Sequence, residues 1–412
     1  MAEKINIIDL FSGCGGLSDG FEQTGKYHTL ACVDWEKPTC RTLIKRLESK
    51  WGYKNASKIV LHYDIQKTDN LIFGWEDGSS YSSGSGLDKI VSASKKTVDV
   101  IIGGPPCQAY SIAGRIRDEN GMNDDYRNYL FESYCKVVDH FKPKLFVFEN
   151  VPGLLSATPG GVPIVDRIIE SFRKIGYEIS SNLRRDALVD CTEYGIPQSR
   201  KRIVIIGINK NLAKTSSQNI LSDFYHEILP SYKTAKKTVA DAIGGLPKLY
   251  PMAEPTIIGR KKYSHKNTSG REVNNHIPRM HSIRDIDIFR ILALDIQSGE
   301  NKYETTNSLK QLYFEHTGKQ SNIHKYHVLR WDKPSNTIPA HLYKDGLRHI
   351  HPDPEQARSI TVREAARLQS FDDDFIFEGS MTDQYKMIGN AVPPKFAKVV
   401  ASAVNDLLSK YY

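Results

Sequence analysis

Short, continuous apolar runs alternate along the first half of the chain with stretches whose apolar residues recur at helical spacing. INIIDLF, YHTLACVD, VDVIIGG, KLFVFENV and KRIVIIGIN read as buried strands. LSDGFEQTG, PTCRTLIKRLESKWG, YRNYLFESYCKVVDHF and VPIVDRIIESFRKIG read as the helices between them, with EISSNLRRDA as a further strand. Strands of unbroken Val, Ile and Leu alternating with amphipathic helices predict an α/β fold with a parallel sheet covered on both faces. Ligands on such sheets bind beyond the carboxyl ends of the strands. The rhythm fails from 211 to 345 and helical periodicity returns in TVREAARLQSF and PKFAKVVASAVNDLLSKYY. The expected organisation is therefore a larger domain, 1–210 completed by 346–412, and a smaller irregular domain, 211–345. Residues 74–97, rich in Ser and Gly, are expected to form a mobile surface insertion.

Composition narrows the class. With 40% hydrophobic and 25% charged residues the chain resembles ordinary soluble proteins. No apolar run approaches the roughly 18 residues that span a bilayer, and MAEKINIIDLF enters a strand directly, so a cytoplasmic protein with no membrane partner is expected. Six cysteines without a C-x-x-C pair give no disulfide framework and no metal site. Charge adds a partner class. Residues 211–350 hold 21 Lys and Arg against 13 Asp and Glu, which accounts for the whole chain's net charge of +8, and nine of the 13 histidines lie there too. A neutral body carrying a basic segment suits a polyanion, although a solvated surface with surplus lysine has equal claim on charge alone.

The candidate chemistry sits at predicted strand ends. Asp9-Leu10-Phe11-Ser12-Gly13-Cys14-Gly15-Gly16 marks the first strand-to-helix turn, where glycines let a backbone approach a ligand. Asp34 and Trp35 end the second strand, and Asp64 follows the third. A carboxylate after strand two commonly holds ribose hydroxyls; Trp35 taken alone reads as a packing residue. Together they describe a nucleoside pocket, and the absence of G-x-x-x-x-G-K-[ST] argues against nucleoside triphosphates. In Gly103-Gly104-Pro105-Pro106-Cys107-Gln108 two prolines freeze the backbone before a cysteine at the sheet edge, a place suited to a nucleophilic thiolate. Glu149-Asn150 ends the strand KLFVFE, where a carboxylate is costly unless it is paired or working. Alternation places Arg200 and Arg202 on one strand face; a phosphate clamp and a salt-bridged strand end both fit, the latter being favoured by charge pattern alone.

DLFSGCGG, GGPPCQAYS, FENVPG, YGIPQSRKR, TVREAARLQSF and IGNAVPP occur in that order over residues 9–394. The combination resembles the C5-cytosine DNA methyltransferase family of bacterial restriction–modification type. The likeness covers nearly the whole chain outside 211–330. It implies a Rossmann-like, S-adenosylmethionine-dependent methyltransferase sheet with a second, smaller target-recognition domain. It further implies Cys107 as the nucleophile on cytosine C6, Glu149 on N3 and the exocyclic amine, Asn150 in support of Glu149, and Arg200 and Arg202 placing the base. Phe11, Gly13, Gly15, Asp34, Trp35, Asp64 and Asn390 would hold the methyl donor, which leaves as S-adenosyl-L-homocysteine. Gln108, Ser111, Arg200 and Thr337 would contact DNA, and GRIRDENGMNDDYR would close over it. The implied partners are double-stranded DNA and a cognate restriction endonuclease, with the enzyme a monomer. An RNA-modifying branch of the same fold and a non-catalytic DNA-binding regulator are the rivals. The long basic middle and CQAYS favour DNA, and the intact Cys107, Glu149, Arg200 and Arg202 favour catalysis.

Overall fold

The structure, a computed structural model, describes residues 3–106, 130–258, 261–320, 326–344 and 346–412. Ten strands are seen among them: β1 (Ile5–Leu10), β2 (Tyr27–Asp34), β3 (Val60–His62), β4 (Val100–Gly103), β5 (Leu145–Asn150), β6 (Tyr177–Glu178), β7 (Leu188–Asp190), β8 (Lys201–Asn209), β9 (Leu249–Ile258) and β10 (Lys261–Asn267). The first eight form one sheet in the order β3-β2-β1-β4-β5-β8-β6, with β7 also paired to β8. This is a Rossmann-like sheet in which the order reverses between β1 and β4.

The chain folds as two compact units, Met1–Gly195 with Arg200–Ala235 and Ala391–Tyr412, and Ile196–Ser199 with Lys236–Asn390. In the first unit the predicted strands appear where the apolar runs lie, and their residues are almost all buried. Neighbours β1–β2, β1–β4, β2–β3 and β4–β5 pair in parallel. The expected all-parallel sheet ends at β5, because β8 runs antiparallel to β5, β6 and β7. EISSNLRRDA is not one strand: only Tyr177–Glu178 pairs there, and Asn182 caps a short helix at Leu183–Asp186 before β7.

Buried tyrosines tie helices to this sheet. The Tyr134 hydroxyl, on the helix Leu130–Phe141, lies 3.0 Å from the carbonyls of both Ile101 and Val147. Tyr27 on β2 donates to the Ala401 carbonyl at 2.6 Å, so the C-terminal helix Pro394–Tyr411 packs back on the sheet as its periodicity predicts. Tyr225 accepts from the Ile206 amide at 2.9 Å, and this contact with β8 makes 211–235 part of the first unit although it was assigned to the smaller domain.

The insertion at 74–97 is built rather than loose. Trp75 and Gly84 form an antiparallel bridge, and Gly86–Ser94 is a helix. The second unit is also more regular than its sequence suggests. It holds the β9–β10 hairpin and the helices Ile283–Ser298 and Thr306–Thr317, packed around Ile288, Phe289, Leu292 and Leu312. Residues 346–390 belong to it, so the boundaries differ from those expected at 210 and 345. Over Lys236–Asn390 the charges are 23 Lys and Arg against 19 Asp and Glu, which halves the surplus of the 211–350 stretch.

A buried polar network fixes this unit. Arg358 and Glu364 form a two-pronged ion pair with both contacts at 2.7 Å, and the Gln356 side chain joins Arg358 to the Leu249 amide. Around it His276 bonds Thr361 and the Pro247 carbonyl, and His265 bonds the Gln356 carbonyl. His281 meets Ser359, and His351 lies 3.5 Å from Glu364. Burial holds these imidazoles neutral, pushing His281 and His351 down to about 3 and His265 to about 4. A depressed histidine contributes stability that is complete above the unfolded value near 6.5 and is lost as pH falls toward the folded one. The second unit should therefore melt on the order of 10 °C lower at pH 4.5 than at pH 7.5. His351→Gln, which takes up no proton in that window, should shrink the difference; an unchanged drop in scanning calorimetry would contradict the assignment.

Candidate active site

The tips of β1, β2, β4 and β5 meet at the carboxyl edge of the sheet, in register positions set by the parallel pairing Leu10↔Val33, Leu10↔Gly103 and Gly103↔Phe148. Two groupings of functional side chains form there.

The first lies at the β1 and β2 tips. Phe11 leaves β1 with φ +58°, a left-handed conformation rare for an aromatic residue, and turns the chain into the Gly-rich loop. The Gly13 amide donates to Asp34 Oδ2 at 3.0 Å, while Asp34 Oδ1 accepts from the Glu36 amide at 2.8 Å. A Cβ built on Gly13 would meet no atom within 4 Å, so the loop faces open space. Trp35 is 52% exposed, which overturns its reading as a packing residue. Asp64 is half-buried just beyond β3 and accepts from the Gln66 amide at 3.0 Å. A fixed carboxylate at the turn, an uncovered indole and a second carboxylate match a nucleoside with a diol and an amine. The loop is held from behind: Arg46 pairs with Asp19 at 2.6 Å, and Trp51 donates to the same carboxylate at 2.8 Å, clamping the helix Gly16–Glu22 to Lys37–Ser49.

The second grouping lies at the β4 and β5 tips. Glu149 Oε1 stands 2.6 Å from Arg202 Nε, both side chains nearly buried. The neighbouring Gly104 has no room for a side chain: a Cβ there would fall 2.8 Å from Glu149 Oε2. Asn150 donates to the Pro105 carbonyl at 3.2 Å, so β5 grips the two-proline segment that leads into residue 107. Arg200 and Arg202 are both buried and the intervening Lys201 is exposed, as alternation predicts, but they serve different partners. Arg202 takes Glu149, whereas Arg200 donates to the Ala391 carbonyl at 3.0 Å. The salt-bridged strand end thus describes Arg202.

Other expected site residues fall elsewhere. Cys107, Gln108, Ser111 and the segment GRIRDENGMNDDYR lie outside the described residues. Asn390 is exposed at the end of the helix Met381–Asn390, and Thr337 is exposed with its hydroxyl donating to the Ser199 carbonyl at 2.6 Å; both belong to the second unit. Gln198 was given no role, yet its buried side chain accepts from the Ile338 amide at 2.9 Å and donates to Gln369 at 2.5 Å, which fixes the segment carrying Thr337. Its place in YGIPQSRKR, two residues before Arg200, was the available signal. The five described cysteines, Cys14, Cys32, Cys40, Cys135 and Cys191, are all buried. Burial pushes every one of these thiols up, Cys135 and Cys191 to about 12, which makes them poor nucleophiles at neutral pH. No cluster of metal-ligating side chains is present among the described residues.

Residues 5–406 match the family described as C-5 cytosine-specific DNA methylase. The type II methyltransferase M.Bpa9945I of Bacillus paralicheniformis is 35% identical over 459 aligned positions, covering 98% of this chain and 100% of the relative. M.DdeI of Desulfomicrobium norvegicum is 31% identical over 424 positions, covering 97% and 88%. Among solved structures, a DNA modification methyltransferase encoded within an E. coli prophage is similar at a TM-score of 0.63 and 23% identity, over 98% of this chain and 100% of that one, a likeness of fold.

One buried acid at this edge yields a prediction. Asp9 is fully buried beside Ser18, whose hydrogen bonding only partly offsets the cost of burial, and burial raises its pKa to about 7. A raised carboxyl contributes stability below its unfolded value near 3.8 and loses it as pH climbs through 7. Asp9→Asn should therefore raise the melting temperature at pH 8 by roughly 3 °C, with the gain shrinking at pH 5. Equal effects at the two pH values would show that the acid is not held neutral.

Proposed function

The chain belongs to the C-5 cytosine-specific DNA methylase family, and we propose that Cys107 attacks C6 of a cytosine flipped out of a specific duplex site while Glu149 holds the ring. The enzyme is a DNA (cytosine-5)-methyltransferase of type II restriction–modification kind. Bound at the β1–β2 tips, S-adenosylmethionine would supply the methyl group for C5. The observation that carries the proposal is the Glu149 carboxylate fixed against Arg202 and packed on Gly104, three residues before Cys107.

In the proposed course the Cys107 thiolate forms a bond to C6, and the displaced ring electrons make C5 nucleophilic. Glu149 steadies the ring meanwhile: ionised it accepts from the exocyclic amine, and protonated it donates to N3. Arg202 is placed to compensate the carboxylate whenever it is charged. After C5 takes the methyl group, loss of the C5 proton and cleavage of the C6–S bond restore the aromatic ring and the thiolate. Asn150, by holding the Pro105 carbonyl, sets the path of the backbone into Cys107. C6 is unreachable in a stacked duplex, so the base must be extruded, at a cost of a few kcal/mol. The Gly13 amide, Asp34, Trp35 and Asp64 would hold the donor's adenosine, and Phe11 and Gly15 would shape the turn around it. The roles of Gln108, Ser111, Thr337 and Asn390, target recognition by the second unit, and a cognate endonuclease rest on resemblance. A cytoplasmic, DNA-associated location fits the reading, and no described helix is long and apolar enough to cross a membrane.

Labelled methyl transfer from S-adenosylmethionine to unmethylated plasmid DNA, with bisulfite sequencing of the product, tests the assignment. Wild type should place 5-methylcytosine at one recurring sequence. Cys107→Ser should lose about 1,000-fold or more in rate, and Glu149→Gln about 100-fold, with S-adenosylmethionine binding retained in both. Full activity in Cys107→Ser, or transfer to tRNA in preference to duplex DNA, would overturn it.

A further inference from the structure

The insertion at 74–97 has no part in the reading above, yet its aromatic residues pack on His62 and Tyr63, the residues that lead into Asp64. Its tip is closed by reciprocal backbone hydrogen bonds between Trp75 and Gly84 at 2.9 and 3.0 Å, and the Trp75 indole donates to the Ser82 carbonyl at 2.7 Å. A Cβ on Gly84 would sit 2.3 Å from the Trp75 ring, so only glycine lets the indole lie against the opposite strand of the loop. The indole also stacks on Tyr63, with centroids 3.9 Å apart and planes 25° from parallel. This seating brings Tyr81 against Tyr63 at 5.1 Å and edge-on to His62 at 5.0 Å. His62 in turn lies 3.0 Å from the Trp35 carbonyl, and the Tyr63 amide donates to the Asp34 carbonyl at 3.0 Å. The aromatic series thus ends on the backbone of Asp34 and Trp35, immediately before Asp64. The Tyr81 phenol feels that neighbourhood: partial burial raises its pKa, and the Asp64 and Asp34 carboxylates push the same way.

We propose that Tyr81 is a binding and specificity-determining residue for the methyl donor, its ring forming the outer wall of the adenosine end of the pocket on a loop anchored by Trp75. An aromatic ring there offers an apolar face for a purine to pack on. The inference rests on the assignment of Asp34, Trp35 and Asp64 to adenosine.

Calorimetric titration of the full-length enzyme with S-adenosyl-L-homocysteine tests it, using Tyr81→Ala, Tyr81→Phe, Trp75→Ala and, as a reference, Asp34→Ala. Tyr81→Ala should weaken binding about tenfold, equivalent to about 1.4 kcal/mol, and Tyr81→Phe less than about threefold. Trp75→Ala should reproduce the alanine defect by releasing the loop. In steady-state assays Tyr81→Ala should raise KM for S-adenosylmethionine while kcat and KM for DNA stay within about twofold. If Tyr81→Ala binds as wild type does while Asp34→Ala is weakened, this inference alone falls; if both bind as wild type, the donor-pocket assignment falls with it. A Tyr81→Ala defect shared equally by DNA affinity would also overturn the inference.

Discussion

The ion pair between Glu149 and Arg202 is the contact on which the β4–β5 end of the sheet edge depends. A carboxylate at the tip of a strand as apolar as LFVFEN would be costly without a partner. The antiparallel return of β8 supplies that partner. Glu149 lies opposite Val204, so Arg202, two residues along β8, stands diagonally beside it on the same face. A guanidinium at 2.6 Å partners the acid at the sheet edge, where Gly104 packs on it and Asn150 secures the Pro105 carbonyl. The tips of β4 and β5 are thus tied to each other by the Asn150 side chain on the Pro105 carbonyl and by Gly104 packed on Glu149.

The β1–β2 tips are held in a similar way. The Gly13 amide and the Asp34 carboxylate fix one another across the β1–β2 tips, and the buried Asp19–Arg46 pair with Trp51 keeps the first helix from drifting. The insertion then adds aromatic surface from outside the βα repeat, through Trp75 stacked on Tyr63. The cavity of about 740 Å³ beside that loop, lined by Tyr63, Lys67, Trp75 and Tyr81 among others, belongs to the insertion rather than to the Gly-rich turn.

Much of this was legible in the chain because continuous apolar runs mark buried parallel strands and their ends mark the sheet edge. The positions of Asp34, Glu149 and the Arg200–Arg202 alternation followed from that alone. What escaped was set by contacts between distant residues. The reversal of β8 depends on its pairing with β5, which no local pattern announces. The order of 74–86 comes from one indole against Gly84 and Tyr63, whereas a Ser/Gly-rich composition points to looseness. The helices Ile283–Ser298 and Thr306–Thr317 have apolar faces diluted by Asp, Gln and Thr, and their caps at Ser282 and Thr305 were the overlooked signals. The buried histidines of the second unit read as part of a basic surface, but most are neutral structural members of a hydrogen-bonded network.

The central claim is a covalent bond between Cys107 and the cytosine ring. A DNA duplex in which 5-fluorocytosine replaces cytosine tests it directly, because fluorine at C5 cannot leave as the proton does and the C6–S bond persists after methyl transfer. Incubated with S-adenosylmethionine and analysed by denaturing electrophoresis and peptide mass spectrometry, the enzyme should form a stable adduct mapped to Cys107. The absence of an adduct with a duplex the enzyme binds, or its attachment to another residue, would contradict the account.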